Sequence, residues 1–388
     1  MEDLEMTGVF EDYFRGRRVL VTGHTGFKGS WLSEWLLQLG AEVTGYSLPP
    51  PTTPSMFEQL GLAGRLRHIE GDVRDLAALQ AAIEDVKPEV VLHLAAQPLV
   101  RWSYSQPVET YATNVMGTVH LLEAVRQCRR PCVVVVVTTD KCYENREWVH
   151  SYREEDPMGG FDPYSSSKGC VELVAGAFRR SFFSAPESSV RVATARAGNV
   201  IGGGDWAADR IVPDCIRSLQ KGAPVPVRNK MATRPWQHVL EPLSGYLWLT
   251  ARLALAPASA VESGALASAF NFGPTLPSNR TVAELVQEVL KHWPGRWEDR
   301  SDPKAIHEAT LLNLATDKAF HLLQWQPVWA FAAAVKATVD WYRTAVADDR
   351  RASAQSLTAL THQQIARYQN DAAALGLSWA RVQRLRPV

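Results

Sequence analysis

Five side chains within residues 134–168 could do chemistry together. A run of valines at 133–137 leads into Thr138-Thr139-Asp140-Lys141-Cys142-Tyr143, and Tyr164 and Lys168 follow after a loop. On a helix, Tyr164 and Lys168 stand at i and i+4 on one face, which brings an ammonium near a phenol. A positive charge there lowers the phenol pKa, so phenolate could take a hydroxyl proton while hydride leaves for a nicotinamide. Thr139 could hydrogen-bond that hydroxyl. Asp140, if partly buried, could protonate a leaving hydroxyl. Lys141, if partly desolvated, could act as a base. Plainer readings exist for each. A Tyr and a Lys four residues apart also suit an exposed helix, and Asp140-Lys141 also suits a solvated turn.

The elements that must position these groups can be read from apolar periodicity. Short apolar runs at 17–22, 42–46, 65–69, 89–94, 133–137 and 190–195 predict strands. Helices are expected at 30–39, 76–86, 108–127 and 163–180. This alternation predicts an α/β fold, a doubly wound parallel sheet of Rossmann type. Strand C-termini then share one edge, where ligands bind. Thr139 and its neighbours stand at the end of the fifth strand.

Past Arg196 the texture changes. Residues 198–204 predict a flexible loop, 211–220 a helix, 224–227 an extended piece, and 236–253 a helix. A short strand is expected at 269–272, and a helix at 281–292 opened by a Thr281/Glu284 capping box. Residues 330–345 predict a further helix. The expected organisation is a dinucleotide-binding domain over 1–198, with a returning segment at about 235–272. A smaller substrate-binding lobe over 199–345 and a peripheral helical tail over 346–388 complete it.

Gly23-x-x-Gly26-x-x-Gly29 lies between the first strand and the first helix. Small residues there let the backbone approach a pyrophosphate seated at a helix N-terminus. Alone the run is equally a glycine turn; its place in the fold favours a dinucleotide. The second strand ends at Tyr46-Ser47, with no acidic residue for an adenine ribose and no Arg for a 2′-phosphate. Ser47 or nearby backbone could take that contact. Asp72, after the third strand, is either an adenine contact or a turn or cap residue. His24 and Lys28 could face solvent or phosphate, whereas His93 reads as a satisfied core histidine.

Bulk composition narrows the function classes. The 388 residues carry 41 basic and 41 acidic side chains, so no basic excess points to nucleic acid or an anionic membrane. Hydrophobic residues at 46% can build a sizeable core. Five cysteines without metal spacing read as free thiols, and no metal site is expected. Residues 1–15 show no apolar signal core, and no run reaches the roughly 18 residues of a membrane span. A soluble, cytoplasmic protein is expected.

The motifs GHTGFKGSWL, HLAAQPLVR, TNVMGT, TTDKCYEN, DPYSSSK, ARAGNVIGGGDW, DRIVPD and RPWQHVLEPLSGYL resemble the CDP-glucose 4,6-dehydratase family, a branch of the extended short-chain dehydrogenases/reductases. The resemblance spans about residues 15–342. It implies conversion of CDP-glucose to CDP-4-keto-6-deoxyglucose and water with NAD as cofactor. Thr139, Asp140, Lys141, Tyr164 and Lys168 would be catalytic. Related dTDP- and GDP-sugar dehydratases carry Glu where Lys141 stands, so Lys141 marks the CDP branch. Gly23, Thr25, Gly26, Phe27, Lys28, Gly29, Asp72, Val73, Leu94, Ala95, Ala96 and Gln97, with Tyr164 and Lys168, would hold NAD. Asn199, Arg210, Val225, Val227 and Arg234 would meet the nucleotide sugar. Relatives pair through long helices, which makes 108–127 and 163–180 candidate homodimer helices and leaves a dimer of dimers open. Two other readings share the fold: an NAD-dependent nucleotide-sugar epimerase, or a dehydratase for another NDP-hexose. A regulatory dinucleotide-binding protein is the reading outside catalysis; the intact reactive set argues against it.

Overall fold

Seven apolar runs form one sheet: β1 (Arg18–Thr22), β2 (Glu42–Ser47), β3 (Arg67–Glu70), β4 (Val90–His93), β5 (Cys132–Val137), β6 (Val190–Ala197) and β7 (Ala269–Phe272). The computed structural model describes residues 6–184, 188–257, 261–301, 311–347, 354–381 and 383–384. Every neighbouring pair is parallel, in the order β7-β6-β5-β4-β1-β2-β3. The chain thus winds outward from β1 to β3, then returns beside β1 with β4. That reversal opens a crevice at the strand C-termini.

Alternation along the strands gives each sheet face its own core. Val133, Val135 and Val137 join the cluster that holds Trp31, Leu32 and Trp35, while Val134 and Val136 join Leu79, Leu121 and Val171. The first cluster lies under α1 (Phe27–Gln38), the second under α2 (Leu76–Val86), α3 (Gly117–Cys128) and α4 (Pro163–Phe178). All of β5 is buried, as befits a parallel strand covered on both faces.

The expected helix over 108–127 is interrupted. Pro107–Tyr111 runs into a π-helical turn, Ala112–Met116, before α3. This turn aims Asn114 inward, a common use of such bulges. Helix α1 begins three residues earlier than expected, at Phe27, with Gly26 as its N-cap.

Beyond β6 the chain continues into α5 (Ile211–Gln220). Val225–Val227 pairs in parallel with Trp297–Asp299, a strand the sequence reading did not expect. Thr233–Pro235 pairs with Asn279–Thr281, and Gln237–His238 pairs with Val200–Ile201. The expected helix at 236–253 therefore starts only at α6 (Leu240–Leu255). α7 (Val282–His292) opens with the Thr281/Glu284 capping box, as expected. α8 (Phe331–Val346) and α9 (Ala354–Ala374) follow. α9 buries Leu357, Ile365, Tyr368 and Ala372 against the core.

The 198–204 segment is not a flexible loop. Ile201 and Asp205 are buried, and the Trp31 indole donates to the Gly203 carbonyl at 2.8 Å. A Cβ on Gly203 would lie 2.1 Å from Trp341 Cγ, so α8 and this segment pack as only glycine allows. Trp31, Trp35, Trp248, Trp325, Trp341 and Trp379 are fully buried, which makes tryptophan a core residue here. All five cysteines are free.

Candidate active site

β5 delivers the reactive turn to the sheet edge. Thr139 caps a short 3-10 turn, Asp140–Cys142, with its Oγ1 accepting from the Lys141 N–H at 3.4 Å. The Thr139 hydroxyl donates to Asp140 Oδ1 at 3.0 Å. Asp140 is buried, and its Oδ2 has no partner among the described residues. That oxygen lies over Gly198, where an added Cβ would sit 2.9 Å away. The half-buried Lys141 side chain makes no hydrogen bond or ion pair among the described residues.

Asp162 caps α4 by accepting from the Ser165 N–H at 2.9 Å, which sets Tyr164 and Lys168 one turn apart on the buried face. Lys168 Nζ donates to the Val137 carbonyl at 3.2 Å. Burial lowers its pKa to about 8, opposed by Glu172. Burial pushes the Tyr164 phenol up to about 12, offset in part by hydrogen bonding to Thr139, with Asp140 and Arg210 acting in opposite senses. The simple expectation of an ammonium drawing the phenol down is thus not the dominant effect. Burial outweighs it, and Lys168 is committed to the end of β5.

The glycine loop is a cradle. Gly23 has φ +74°, and a Cβ there would lie 2.7 Å from the Ala95 N; a Cβ on Gly29 would lie 2.2 Å from the Gly23 carbonyl. Ala95 N donates to Thr22 Oγ1 and Leu94 N to the Thr22 carbonyl, which brings the ends of β1 and β4 together. No side chain caps the α1 N-terminus, so its first N–H groups suit a phosphate. Thr25 Oγ1 lies 2.8 Å from Ser47 Oγ and donates to the Leu48 carbonyl. The cradle therefore fits a dinucleotide pyrophosphate.

Other expected cofactor residues sit around this cradle. Asp72 is a turn residue: it accepts from the Arg74 N–H at 2.9 Å and pairs with the Arg74 guanidinium at 2.6 Å, which holds its carboxyl below the usual range. Asp75, not Asp72, caps α2. Val73 is buried, with its carbonyl 3.1 Å from His120 Nδ1. Gln97 and half-buried Ala96 follow β4. Gln97 folds onto its own loop, donating to Thr110 Oγ1 and the Leu99 carbonyl. Phe27 packs near Gly202. Half-buried Lys28 feels Arg210, Asp140, Lys168 and Asp205, and burial lowers its pKa to about 8. It therefore shares the electrostatic field of Asp140 and Lys168. His93 is a satisfied core residue, between Thr22 Oγ1 at 2.7 Å and Thr118 Oγ1 at 3.2 Å. His24 is buried against His68 at 2.7 Å, not facing solvent.

The expected substrate residues divide. Asn199 follows Gly198 beside Asp140, and its carbonyl accepts from the Gln237 N–H. Arg210 donates to Asp205 at 2.8 Å, close enough to Tyr164 to act on it. Pro235, next to Arg234, lies 3.1 Å from a Cβ placed on Gly198, so the Arg234 strand abuts the same edge. Val225 and Val227 do not line a site with their side chains. Both are fully buried, because strand alternation turns them into the core and leaves only half-buried Pro226 on the other side.

Three buried polar groups around these residues escaped the sequence reading. Asn114 donates to Ser167 Oγ at 2.8 Å and to the Gln97 carbonyl at 3.1 Å, tying the β4 loop to α4. Glu172 and Arg196 form an ion pair beneath the Asp140–Cys142 turn at 2.8 Å. Asn114 lies within TNVMGT and Arg196 within ARAGNV, so the motifs held the signal without its meaning.

A family model described as GDP-mannose 4,6 dehydratase matches residues 20–338. The chain belongs to this family. A CDP-glucose 4,6-dehydratase of Salmonella typhimurium is 49% identical over 340 residues, covering 86% of this chain and 92% of the relative. A dTDP-glucose 4,6-dehydratase of Streptomyces venezuelae, solved with NAD and TYD bound, superposes with a TM-score of 0.71 at 25% identity; the match covers 84% of this chain and 96% of that one. A further family-fold protein, solved with UDP-glucuronic acid and NAD, gives a TM-score of 0.70 at 26% identity, covering 84% and 99%. Among the described residues no cluster of His, Cys, Asp or Glu could hold a metal, and no helix is long and apolar enough to cross a membrane.

Proposed function

We propose that the chain is a CDP-glucose 4,6-dehydratase that uses NAD. The observation that carries this is the turn itself. A buried Asp140 and an unpartnered Lys141 stand side by side at the end of β5, next to the Thr139 and Tyr164 pair. An epimerase needs the second pair but has no step for the first. The 49% identity to a CDP-glucose 4,6-dehydratase supports CDP over other nucleotides.

Bound NAD would supply the hydride acceptor for carbon 4 and the hydride donor for carbon 6. The glycine cradle, Leu94–Gln97 and Lys168 would hold it. Thr139 Oγ1 binds the 4-hydroxyl, and Tyr164 takes its proton once the positive charge of the bound cofactor and Lys168 offset the burial that raises the phenol. The resulting ketone acidifies carbon 5, and Lys141 removes that proton. Asp140 protonates the departing 6-hydroxyl, so water leaves, and Lys141 gives its proton back to carbon 5. Thr139 contacts both Tyr164 and Asp140. It can therefore pass the proton gained by the phenol to the carboxylate that lost one, restoring both groups. Asn199, Arg210 and Arg234 would meet the diphosphate and nucleotide, where planar guanidinium donors suit anionic oxygens.

The same reading makes the protein a cytoplasmic homodimer. Its free thiols suit a reducing compartment. Val108, Tyr111, Met116, Leu173 and Phe182 expose apolar surface on the helices at 107–128 and 163–183, a face suited to helix pairing.

Lys141→Ala tests the assignment. With CDP-glucose and NAD it should still reduce the nicotinamide, while release of the 4-keto-6-deoxy product falls by about a hundredfold or more. Equal loss of both signals would reject Lys141 as the carbon 5 base.

A further inference from the structure

We propose that Glu172 is a positioning residue for the reaction: it clamps the catalytic turn from beneath and supplies the negative charge that faces Lys168. This rests on reading Tyr164 and Lys168 as the redox pair. Glu172 lies one helical turn beyond Lys168 on α4, with its side chain only 4% exposed. Its Oε1 accepts from Thr138 Oγ1 at 2.5 Å. Its Oε2 accepts from Thr194 Oγ1 at 2.7 Å and from Arg196 Nη2 at 2.8 Å.

Arg196 then reaches the other end of the same turn. Its Nη1 donates to the Tyr143 hydroxyl at 2.7 Å and to the Glu154 carbonyl at 2.9 Å, while Tyr143 donates to Asn271 Oδ1 at 2.8 Å. One ion pair thus holds Thr138 before the turn and Tyr143 after it. Thr139, Asp140 and Lys141 are the residues between. A buried ion pair is poor value as stability alone, since apolar side chains often replace it without loss. Bracketing three reacting side chains is a more specific use of it.

The charge has a second consequence. Burial works against the Glu172 carboxylate, yet Arg196 and the two threonine hydroxyls hold it below the usual carboxylate range. It stays ionised and opposes the burial that lowers the Lys168 pKa to about 8. The other groups around Lys168 are Cys142 from the turn, His93 from β4, Lys28 from the first turn of α1 and the Val137 carbonyl. Among these, Glu172 is the largest influence favouring the ammonium.

Two variants separate the jobs. Glu172→Gln removes the charge, so Lys168 should lose its proton at lower pH. The alkaline limb of turnover with CDP-glucose and NAD should move down by about one pH unit, an extra loss of about tenfold at alkaline pH. NAD binding, followed by tryptophan fluorescence, should show the same displaced limb. Thr138→Val keeps the charge and loosens the turn, so kcat should fall while the limb stays in place. If Glu172→Gln does not fold, Glu172→Asp, which withdraws the charge without removing it, should show a smaller displacement in the same direction. A folded Glu172 variant whose rates fall equally at every pH would overturn the proposal. Lys168→Met is the separate control: wild-type turnover there would reject the redox-pair reading itself.

Discussion

Gly198→Ala should uncouple dehydration from oxidation. The methyl group would stand 2.9 Å from Asp140 Oδ2 and 3.1 Å from Pro235 Cγ. Ordinary contact begins at 3.4 Å, so the carboxylate must withdraw by about half an ångström. Pro235 is held in a paired strand and gives less readily than a carboxylate with one unpartnered oxygen. Asp140 is assigned the proton for the leaving hydroxyl. Misplacing a general acid by that distance should slow water loss by about ten- to a hundredfold. Tyr164 and Lys168 lie on α4, outside this contact, so nicotinamide reduction should persist. The assay is a single mix of variant, CDP-glucose and NAD, following reduced nicotinamide by absorbance and product by mass. The variant should hold reduced nicotinamide while product lags. Unchanged product release from a folded variant would refute the claim that Gly198 seats Asp140. Parallel loss of both signals would refute the assignment of Asp140 to elimination alone.

Buried histidines should make the fold acid-sensitive. His24, His93 and His238 are each lowered by burial to about 3, so their contribution is present above the free value of 6.5 and is lost as pH falls through it. From about pH 7.5 to 5.5 this costs about 1.4 kcal/mol for each, or about 4 kcal/mol together. Glu241, raised by burial to about 7, acts in the opposite sense and returns about 2 kcal/mol over the same range. Denaturant unfolding should therefore show a net loss of about 2 kcal/mol, and a steeper loss in Glu241→Gln; no pH slope would contradict the buried neutral histidines. Gly203→Ala should lower stability by about 3 kcal/mol, because Trp341 cannot retreat from a Cβ at 2.1 Å; a wild-type Tm would contradict that packing. Leu173→Glu, at a 63% exposed position, should yield monomers in sedimentation if α4 pairs copies of the chain; an intact dimer would place the interface elsewhere.

The strand positions followed from period and length, because buried parallel strands write themselves as short apolar runs. Thr139, Asp140, Lys141, Tyr164 and Lys168 were legible for a related reason: their places are set by a strand end and a helix register. What escaped depends on side chains meeting from distant segments. Glu172 and Arg196 are 24 residues apart and announce nothing locally, yet they hold Thr138 and Tyr143 at either end of the Asp140–Cys142 turn. The burial of the Val225 and Val227 side chains was not legible because a three-residue strand gives no local sign of which face is buried. The segment at 198–204 looked loose because glycine reads as flexibility, whereas Trp341 and Trp31 require small residues there. The burial of the Tyr164 phenol was not legible because sequence spacing shows the neighbouring charge and not the burial.

The central claim is a redox-neutral elimination specific for a cytidine nucleotide. It is tested most directly by incubating the purified protein and NAD with CDP-, dTDP-, GDP- and UDP-glucose in parallel and reading the products by mass. CDP-glucose should lose one water and become a 4-keto-6-deoxy sugar, with no net reduced nicotinamide, and the other three should turn over far more slowly. A product of unchanged mass with inverted stereochemistry, or equal turnover of another nucleotide, would contradict the account.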